Sequence, residues 1–275
     1  MSNNIQTSSF VKKLAANDRP TRTKALEALQ KFLSHPRKLP LLEYEKLWKG
    51  LYYSMWFSDR PRPQQRLARD LSSLFDIIPK QNWKLFNESW WVIICKEWPH
   101  IDHWRLDKFL MLVRFNLNAM FARLEKEEWD DEMVEQFLQV LKKIPLSGDK
   151  KIPNGIPFHI IDIYVDELEK VVFKDVEEKD EDEEDEDDEQ DDINKRKQDI
   201  IDSTPVGELI SVFDELSKEA AYKTLREKIR DEVLKDDRLK QWGVVEVVEE
   251  ENDESEEDTE DDQNEDSEDE WNGFD

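Results

Sequence analysis

The chain is poor in glycine and cysteine, the residue types on which many phosphate-binding loops and metal sites depend. Its 275 residues include six glycines and one cysteine. The closest pair of glycines is Gly148 and Gly155, so the chain has no glycine-rich phosphate-binding loop. The single Cys95 excludes an internal disulfide and a cysteine-cluster metal site. Nucleotide-binding α/β folds and cysteine-ligated metal centres are therefore disfavoured.

Long apolar segments are also missing. The longest uninterrupted apolar run, Trp90 to Cys95, has six residues, whereas a membrane-spanning helix needs about 20. The first ten residues, MSNNIQTSSF, lack the apolar core of a secretory signal peptide. From these two observations we expect a soluble intracellular protein.

The negative charge is concentrated in two short segments. Of the net charge of −27, residues 175–192 supply 15 acidic and one basic side chain, and residues 246–275 supply 18 acidic and no basic ones. Residues 1–174 have a net charge of +5, and residues 193–245 are neutral. Because like charges repel and remain solvated, we predict that both acidic segments are disordered.

The remaining sequence has the apolar periodicity of helices. Tyr44, Leu47, Trp48, Leu51 and Met55 recur at the spacing of one helix face. Similar stripes occur within residues 63–78, 103–124, 133–144 and 160–171. Beyond the first acidic segment, Thr204-Pro205 is a helix start signal, and it precedes apolar stripes within 206–216 and 222–233. These later helices are predicted to dock on the body.

The predicted fold is all-α, an irregular armadillo- or HEAT-like array of helix pairs. Pairs begin near Pro20, Pro63, His103 and Pro157, a spacing of roughly 40 to 55 residues that is near the period of such arrays. A single compact helical bundle remains the alternative. We assign 1–174 to the array, 175–192 to a disordered acidic insertion, 193–243 to docking helices and 244–275 to an acidic disordered tail. The only strand-like run is 244–248.

No catalytic constellation is present in the sequence. His100 and His103 flank a predicted helix entry after Pro99, which favours a loop or capping role over a metal site. Asp130 and Asp131 are typical of a helix N-terminus, where the macrodipole favours carboxylates. Most of the eight tryptophans from Trp48 to Trp129 fall on or beside apolar stripes, which favours core packing over base stacking. We therefore predict a protein that is not an enzyme and needs no cofactor or metal.

Three stretches are more specific than the composition: LWKGLYYSMWFSDRP (47–61), EWPHIDHWRLDKFLMLVR (97–114) and IPFHIIDIYVDEL (156–168). In this order they resemble the ribosomal RNA-processing protein 1 family of nucleolar proteins, over about residues 8–235. The resemblance implies an all-helical, armadillo-like and non-enzymatic assembly factor of the large ribosomal subunit, needed for maturation of precursor ribosomal RNA (rRNA). Larger family members carry a basic C-terminal extension. This chain ends in an acidic segment, so that extension's role is not carried over.

The resemblance also implies partners and a location. The partners are other assembly factors and ribosomal proteins of the large-subunit precursor, together with precursor rRNA. The location is the nucleolus, and neither a membrane nor a small-molecule substrate is expected. The main alternative is an acidic chaperone or transport adaptor that shields basic clients. An rRNA nuclease is a third possibility, but the sequence lacks a ligand set for metal-assisted phosphodiester cleavage.

Arginines near Pro63 are the leading candidates for contact with a partner or RNA. At 100° per residue, Arg62, Arg66 and Arg69 fall within about 60° of one another on a helix, and Arg60 precedes them. Planar guanidinium groups on one face suit phosphates or carboxylates. The alternative is a solvated face on which Arg66 pairs with Asp70.

Other basic residues are candidates of a second kind. Within the resembling stretches, Lys49, Arg105 and Lys108 are predicted to form structural ion pairs or partner contacts. The run Lys195-Arg196-Lys197 is a weak nuclear-import signal, and a surface position on a short helix is its other interpretation.

The acidic tail offers candidate phosphorylation sites. Ser255, Thr259 and Ser267 are each followed by acidic residues, the context that acidophilic kinases favour. Each phosphate would add about −1.5 to −2 charges. The alternative is that these hydroxyls remain unmodified.

Overall fold

The computed structural model describes residues 9–16, 18–176 and 187–245. Within these ranges the secondary structure is entirely helical. The α-helices are α1 (Ser9–Leu14), α2 (Arg19–Leu33), α3 (Leu41–Trp56), α4 (Pro61–Ser72), α5 (Leu74–Ile77), α6 (Lys80–Glu97), α7 (His103–Lys126), α8 (Asp131–Lys143), α9 (Gly155–Val172), α10 (Asp187–Ser203), α11 (Val206–Glu219), α12 (Lys223–Ile229) and α13 (Asp237–Gln241). A 3-10 turn, Trp98–His100, follows α6, and a π-helical turn, Arg230–Leu234, follows α12.

Side-chain caps and prolines fix where several helices begin. Asp102 accepts a hydrogen bond from the Arg105 amide at 3.1 Å, and Asp130 accepts one from the Met133 amide at 3.2 Å. Both bonds satisfy amides that a helix start would otherwise leave open. Pro61, at the first position of α4, has the backbone angle that a first turn requires.

Helices α3, α6, α8 and α11 form one layer, in which successive helices run parallel. The indole of Trp48 on α3 donates a hydrogen bond to the Phe86 carbonyl on α6 at 3.1 Å. Lys84 on α6 bonds the Gln139 amide oxygen on α8 at 2.8 Å. Lys142 on α8 pairs with Glu215 on α11 at 2.6 Å.

Helices α4, α7, α9 and α12 form the second layer, again with successive helices parallel. The Ser72 hydroxyl on α4 donates to Asn116 on α7 at 2.7 Å. Asn118 on α7 bonds Glu167 on α9 at 3.0 Å. From α3 to α12, apart from the short α5 and the linking α10, the chain therefore passes from one layer to the other with each successive helix.

This arrangement confirms the all-α class and the array of helix pairs. Helices of the structure begin close to the four predicted starts of helix pairs, at Arg19, Pro61, His103 and Gly155. The stripe within 63–78 is divided between α4 and α5, which meet at Ser73. Helix α6, with no single apolar stripe in the sequence, is buried on several sides and lies at the centre of the first layer.

The segments assigned to the acidic insertion and the tail differ at their edges from the structure. Helix α10 begins at Asp187, inside the segment 175–192, and its last turn is anchored by the buried Ile201. Val244 and Val245 pack against the core, and the Val244 amide donates to the Leu239 carbonyl at 2.9 Å. Neither valine is in a strand. No helix in the described part of the chain is long and apolar enough to cross a membrane.

Candidate functional site

The candidate site is the arginine face, formed by Arg60 at the N-cap of α4 and by Arg62, Arg66 and Arg69 along the helix. All four side chains are exposed. The opposite side of the helix is buried against the core through Leu67, Ala68 and Leu71. Burial of that side fixes the rotation of α4, so the arginines point away from the core on a rigid element.

In the part of the chain that the structure describes, no acidic side chain is paired with the guanidinium groups of this face. Within 18–176 and 187–245, none of the four arginines forms an ion pair, and Arg69 lies 5.9 Å from the centroid of the Phe115 ring on α7. The alternative pairing of Arg66 with Asp70 is therefore absent from the described residues. Asp70 is half-buried, and desolvation raises the pKa of its carboxyl although the charges of Arg22 and Arg66 act to lower it.

The helix terminus adds to the positive potential of the arginine face. The first turn of α4 has no acidic residue, and no side chain caps its start. The N-terminal end of a helix carries a partial positive charge. At Arg60 and Arg62 the guanidinium charge and the helix dipole therefore have the same sign, and that combination attracts anions to this end of the arginine face.

The structure gives Lys108 an internal role rather than a surface one. Its side chain is buried, and its ammonium donates to the main-chain oxygens of Trp56 at 2.8 Å and Ser58 at 2.9 Å. Burial lowers the pKa of Lys108 to about 8, although Asp59 acts in the other direction. A buried ammonium with these partners is not available to a ligand, so Lys108 is removed from the candidate contact set.

Lys49 and Arg105 also have intramolecular partners. Lys49 on α3 forms an ion pair with the buried Glu97 on α6, and its ammonium lies 5.1 Å from the centroid of the Tyr53 ring. Arg105 forms an ion pair with Asp102, and its guanidinium lies 4.6 Å from the centroid of the Trp56 ring. Of the two roles predicted from the sequence, both residues have the structural ion pair, and the partner contact stays a prediction.

Among the eight tryptophans taken mainly as core, Trp104 is an exception. Trp48, Trp83, Trp90 and Trp91 are fully buried, whereas Trp104 on the first turn of α7 is 86% exposed. Its ring lies 4.1 Å, centroid to centroid, from the His103 ring. The sequence contained a signal for this exposure. With Asp102 as the cap of α7, Trp104 lies before the buried stripe of that helix begins.

The remaining sequence candidates are separated from the arginine face along the chain. Lys195 and Arg196 are exposed on α10, and the Lys197 ammonium lies 5.4 Å from the centroid of the Phe173 ring. Ser255, Thr259 and Ser267 lie outside the described residues.

In the part of the chain that the structure describes, no group of three or more histidine, cysteine or acidic side chains is placed to hold a metal ion. Burial raises the pKa of the Cys95 thiol to about 12.

Comparison with known proteins gives a match to a protein family over most of the chain. A family model described as nucleolar protein, Nop52, matches residues 5–274. The chain belongs to the Nop52 family of nucleolar proteins. The family resemblance drawn from the sequence is thereby confirmed.

Curated relatives of this Nop52-family chain include human and nematode proteins. Ribosomal RNA processing protein 1 homolog B of Homo sapiens is 35% identical over 173 residues, which cover 61% of this chain and 23% of that protein. The homolog A of Homo sapiens is 34% identical over 176 residues, covering 59% and 36%. The Caenorhabditis elegans homolog is 34% identical over 164 residues, covering 58% and 41%. The matched part thus spans less than half the length of each of these relatives.

Proposed function

We propose that this Nop52-family chain is a non-enzymatic scaffold in the processing of ribosomal RNA. It acts in the nucleolus on the large-subunit precursor, and it contacts precursor rRNA through the arginine face of α4. The names of the curated relatives and the nucleolar family support the process. The observation that carries the contact is the arginine face, four exposed guanidinium groups without ion pairs in the described residues.

The electrostatics favour phosphate as the group that meets this face. Guanidinium forks bind phosphate oxygens in pairs, and helix N-termini are favourable positions for anions. Each phosphate that a cation neutralises releases counterions, so binding should weaken as salt rises. The array positions this face rigidly, because α4 packs along α7 through Leu67, Leu71 and the bond from Ser72 to Asn116.

The alternative, an acidic chaperone or transport adaptor, relies on other residues. It would use the segments 175–192 and 246–275 to shield basic clients, and the arginine face would have no part in it. Sedimentation of cell extracts separates the two functions. The scaffold should co-sediment with precursor particles of the large subunit, whereas a free chaperone should remain with soluble clients.

Charge reversal tests the RNA contact. In the triple variant Arg62→Glu, Arg66→Glu and Arg69→Glu, we expect reduced co-sedimentation with the particles. In binding to isolated precursor rRNA, the salt dependence should flatten by about 0.7–0.9 in log–log slope for each phosphate that the variant no longer neutralises. The melting temperature should hardly change, because all three side chains are exposed.

A control with the same change in net charge makes this test specific. Lys96, Lys151 and Lys218 are exposed and make no ion pair within the described residues. Their combined replacement by glutamate should leave particle association close to wild type. If the arginine and lysine variants bind particles and rRNA equally at every salt concentration, the arginine face is not the contact. If the wild-type chain never co-sediments with precursor particles, the scaffold function itself is wrong.

A further inference from the structure

A cavity lies where the end of α2, the connector 34–40 and the start of α3 meet, and we call it the α2–α3 cavity. Its volume is about 200 Å³, and it is lined by Lys31, Phe32, Leu33, His35, Arg37, Leu39 and Tyr44. Leu33, Leu39 and Tyr44 are buried, whereas Phe32 is 51% exposed. Leu42, 56% exposed, follows on the first turn of α3. An apolar recess with large exposed apolar side chains beside it is typical of a binding surface.

The wall of the α2–α3 cavity is held in place by α6. The Gln81 side-chain amide donates to the Pro36 carbonyl at 2.5 Å, and the Asn82 amide donates to the Arg37 carbonyl at 3.0 Å. These bonds fix the connector at two successive residues. The cavity is thus preformed, so a ligand does not have to order this connector when it binds.

The chain segment that lines the α2–α3 cavity is basic. No acidic residue occurs between Glu27 and Glu43. Lys31, Arg37 and Lys38 are exposed there, and within the described ranges none of the three forms an ion pair. Such a positive field selects an anionic partner and accelerates its association.

We propose that the α2–α3 cavity binds an acidic segment of a partner protein, which inserts one large apolar side chain. The positive rim matches the acidic residues of that segment. The cavity itself favours an aliphatic or aromatic side chain over a nucleobase, because Phe32, Leu33 and Leu39 offer carbon surface. An apolar side chain gives up no hydrogen bonds with water when it enters this carbon surface, whereas a nucleobase must exchange those of its polar edge for bonds to the rim. The connector carbonyls of Pro36 and Arg37 already accept bonds from α6.

Paired synthetic peptides test this site on the full chain. A display library of dodecapeptides rich in Asp and Glu, with one variable central residue, is selected against the wild-type protein. We expect enrichment of peptides with Phe, Trp or Leu at that position. By fluorescence anisotropy, the best peptide should bind at least tenfold more tightly than its twin with serine at the centre.

Variants show whether binding occurs at the cavity. The triple variant Lys31→Glu, Arg37→Glu and Lys38→Glu should weaken the best peptide at least tenfold, and Phe32→Gln should weaken it several-fold. The glutamate variant of Lys96, Lys151 and Lys218 should bind as the wild type does. Circular dichroism checks that all variants melt like the wild type, as expected for exposed positions.

Three outcomes would overturn the proposal. The first is a library without enrichment of apolar central residues. The second is a best peptide whose affinity is unchanged by Phe32→Gln and by the charge reversals. The third is a twelve-nucleotide oligouridylate that binds more tightly than any peptide and is weakened by the same variants, which would assign the site to RNA. None of these results bears on the arginine face of α4, so the two proposals fail independently.

Discussion

The ammonium of Lys108 on α7 donates a hydrogen bond to the main-chain oxygen of Trp56, 2.8 Å away at the end of α3. A second bond reaches the Ser58 oxygen at 2.9 Å. The carbonyls of a last helical turn have no partner within their own helix. Lys108 thus supplies the donor for carbonyls at and just beyond the end of α3. It thereby fixes the segment that leads to Arg60 and the arginine face. A buried lysine holds the candidate site in position without being part of it.

Lys108 gives the protein a measurable pH dependence of stability. Burial lowers the pKa of Lys108 to about 8, whereas an unfolded lysine titrates near about 10.4. Between these values the unfolded state binds more protons, so this residue makes stability rise with pH. The free energy of unfolding of the wild type, relative to Lys108→Met, should therefore grow by about 1 to 2 kcal/mol from pH 7.5 to pH 9.5.

Urea denaturation at the two pH values measures this difference. At pH 7.5 Lys108→Met already leaves the Trp56 and Ser58 oxygens without their donor, which costs about 1–3 kcal/mol when such groups are buried. The variant also removes a buried charge. The pH dependence of the difference in free energy of unfolding is therefore more diagnostic than the size of that difference at either pH. If the free energy of unfolding of the wild type minus that of Lys108→Met does not increase from pH 7.5 to pH 9.5, the pKa of Lys108 is not lowered in the folded chain.

Replacement by alanine should lower the free energy of unfolding strongly at one tryptophan and hardly at another. Trp48 is fully buried, and its indole donates to the Phe86 carbonyl at 3.1 Å. Trp48→Ala should therefore cost about 3–5 kcal/mol. Trp104 is 86% exposed, so Trp104→Ala should change the free energy of unfolding by at most about 0.5 kcal/mol. Chemical denaturation of both variants checks this, and equal losses would mean that Trp104 packs against the folded chain.

The features that were predictable from the sequence are those set by local periodicity. The stripe from Tyr44 to Met55 identifies α3 because only one face of that helix carries most of its buried residues. The arginine face is predictable for the same reason, since the angle between Arg62 and Arg66 depends only on helix geometry. Capping residues such as Asp102 and Asp130 are likewise local signals.

The features that were not predictable depend on contacts between distant residues. Helix α6 buries side chains on several sides, so its apolar residues form no single stripe and the periodicity did not reveal this helix. Lys108 meets Trp56 across 52 positions of the chain. The α2–α3 cavity depends on bonds from Gln81 and Asn82 to a connector 45 residues earlier. The periodicity of residues within one helix does not predict these contacts between distant residues.

The helices after the acidic segment should be essential for folding, and the acidic tail should not. The Tyr164 hydroxyl on α9 donates to the Leu209 carbonyl on α11 at 2.9 Å, and its ring meets the Phe213 ring edge-on, 4.7 Å between centroids. The apolar side chains that these helices bury are Val206, Leu209, Ile210, Val212, Phe213, Leu216, Leu225, Ile229, Val233 and Leu239. Full burial of each large one contributes about 1.5–3 kcal/mol. The net stability of a typical domain is only about 5–15 kcal/mol, so the loss of several of these buried side chains is enough to unfold the chain.

Two truncations compare these segments. A chain ending at residue 205 should lose its cooperative thermal transition, because Tyr164 and its neighbours on α8 and α9 would be uncovered. A chain ending at residue 245 should keep its melting temperature within about 2 °C, because residues 246–275 contain no helical apolar stripe. Its net charge would change from −27 to −9, so the melts are recorded at about 0.15 M salt, where the Debye length is about 8 Å. Cooperative melting of the shorter chain at the wild-type temperature would show that α11 and α12 are accessory to the fold.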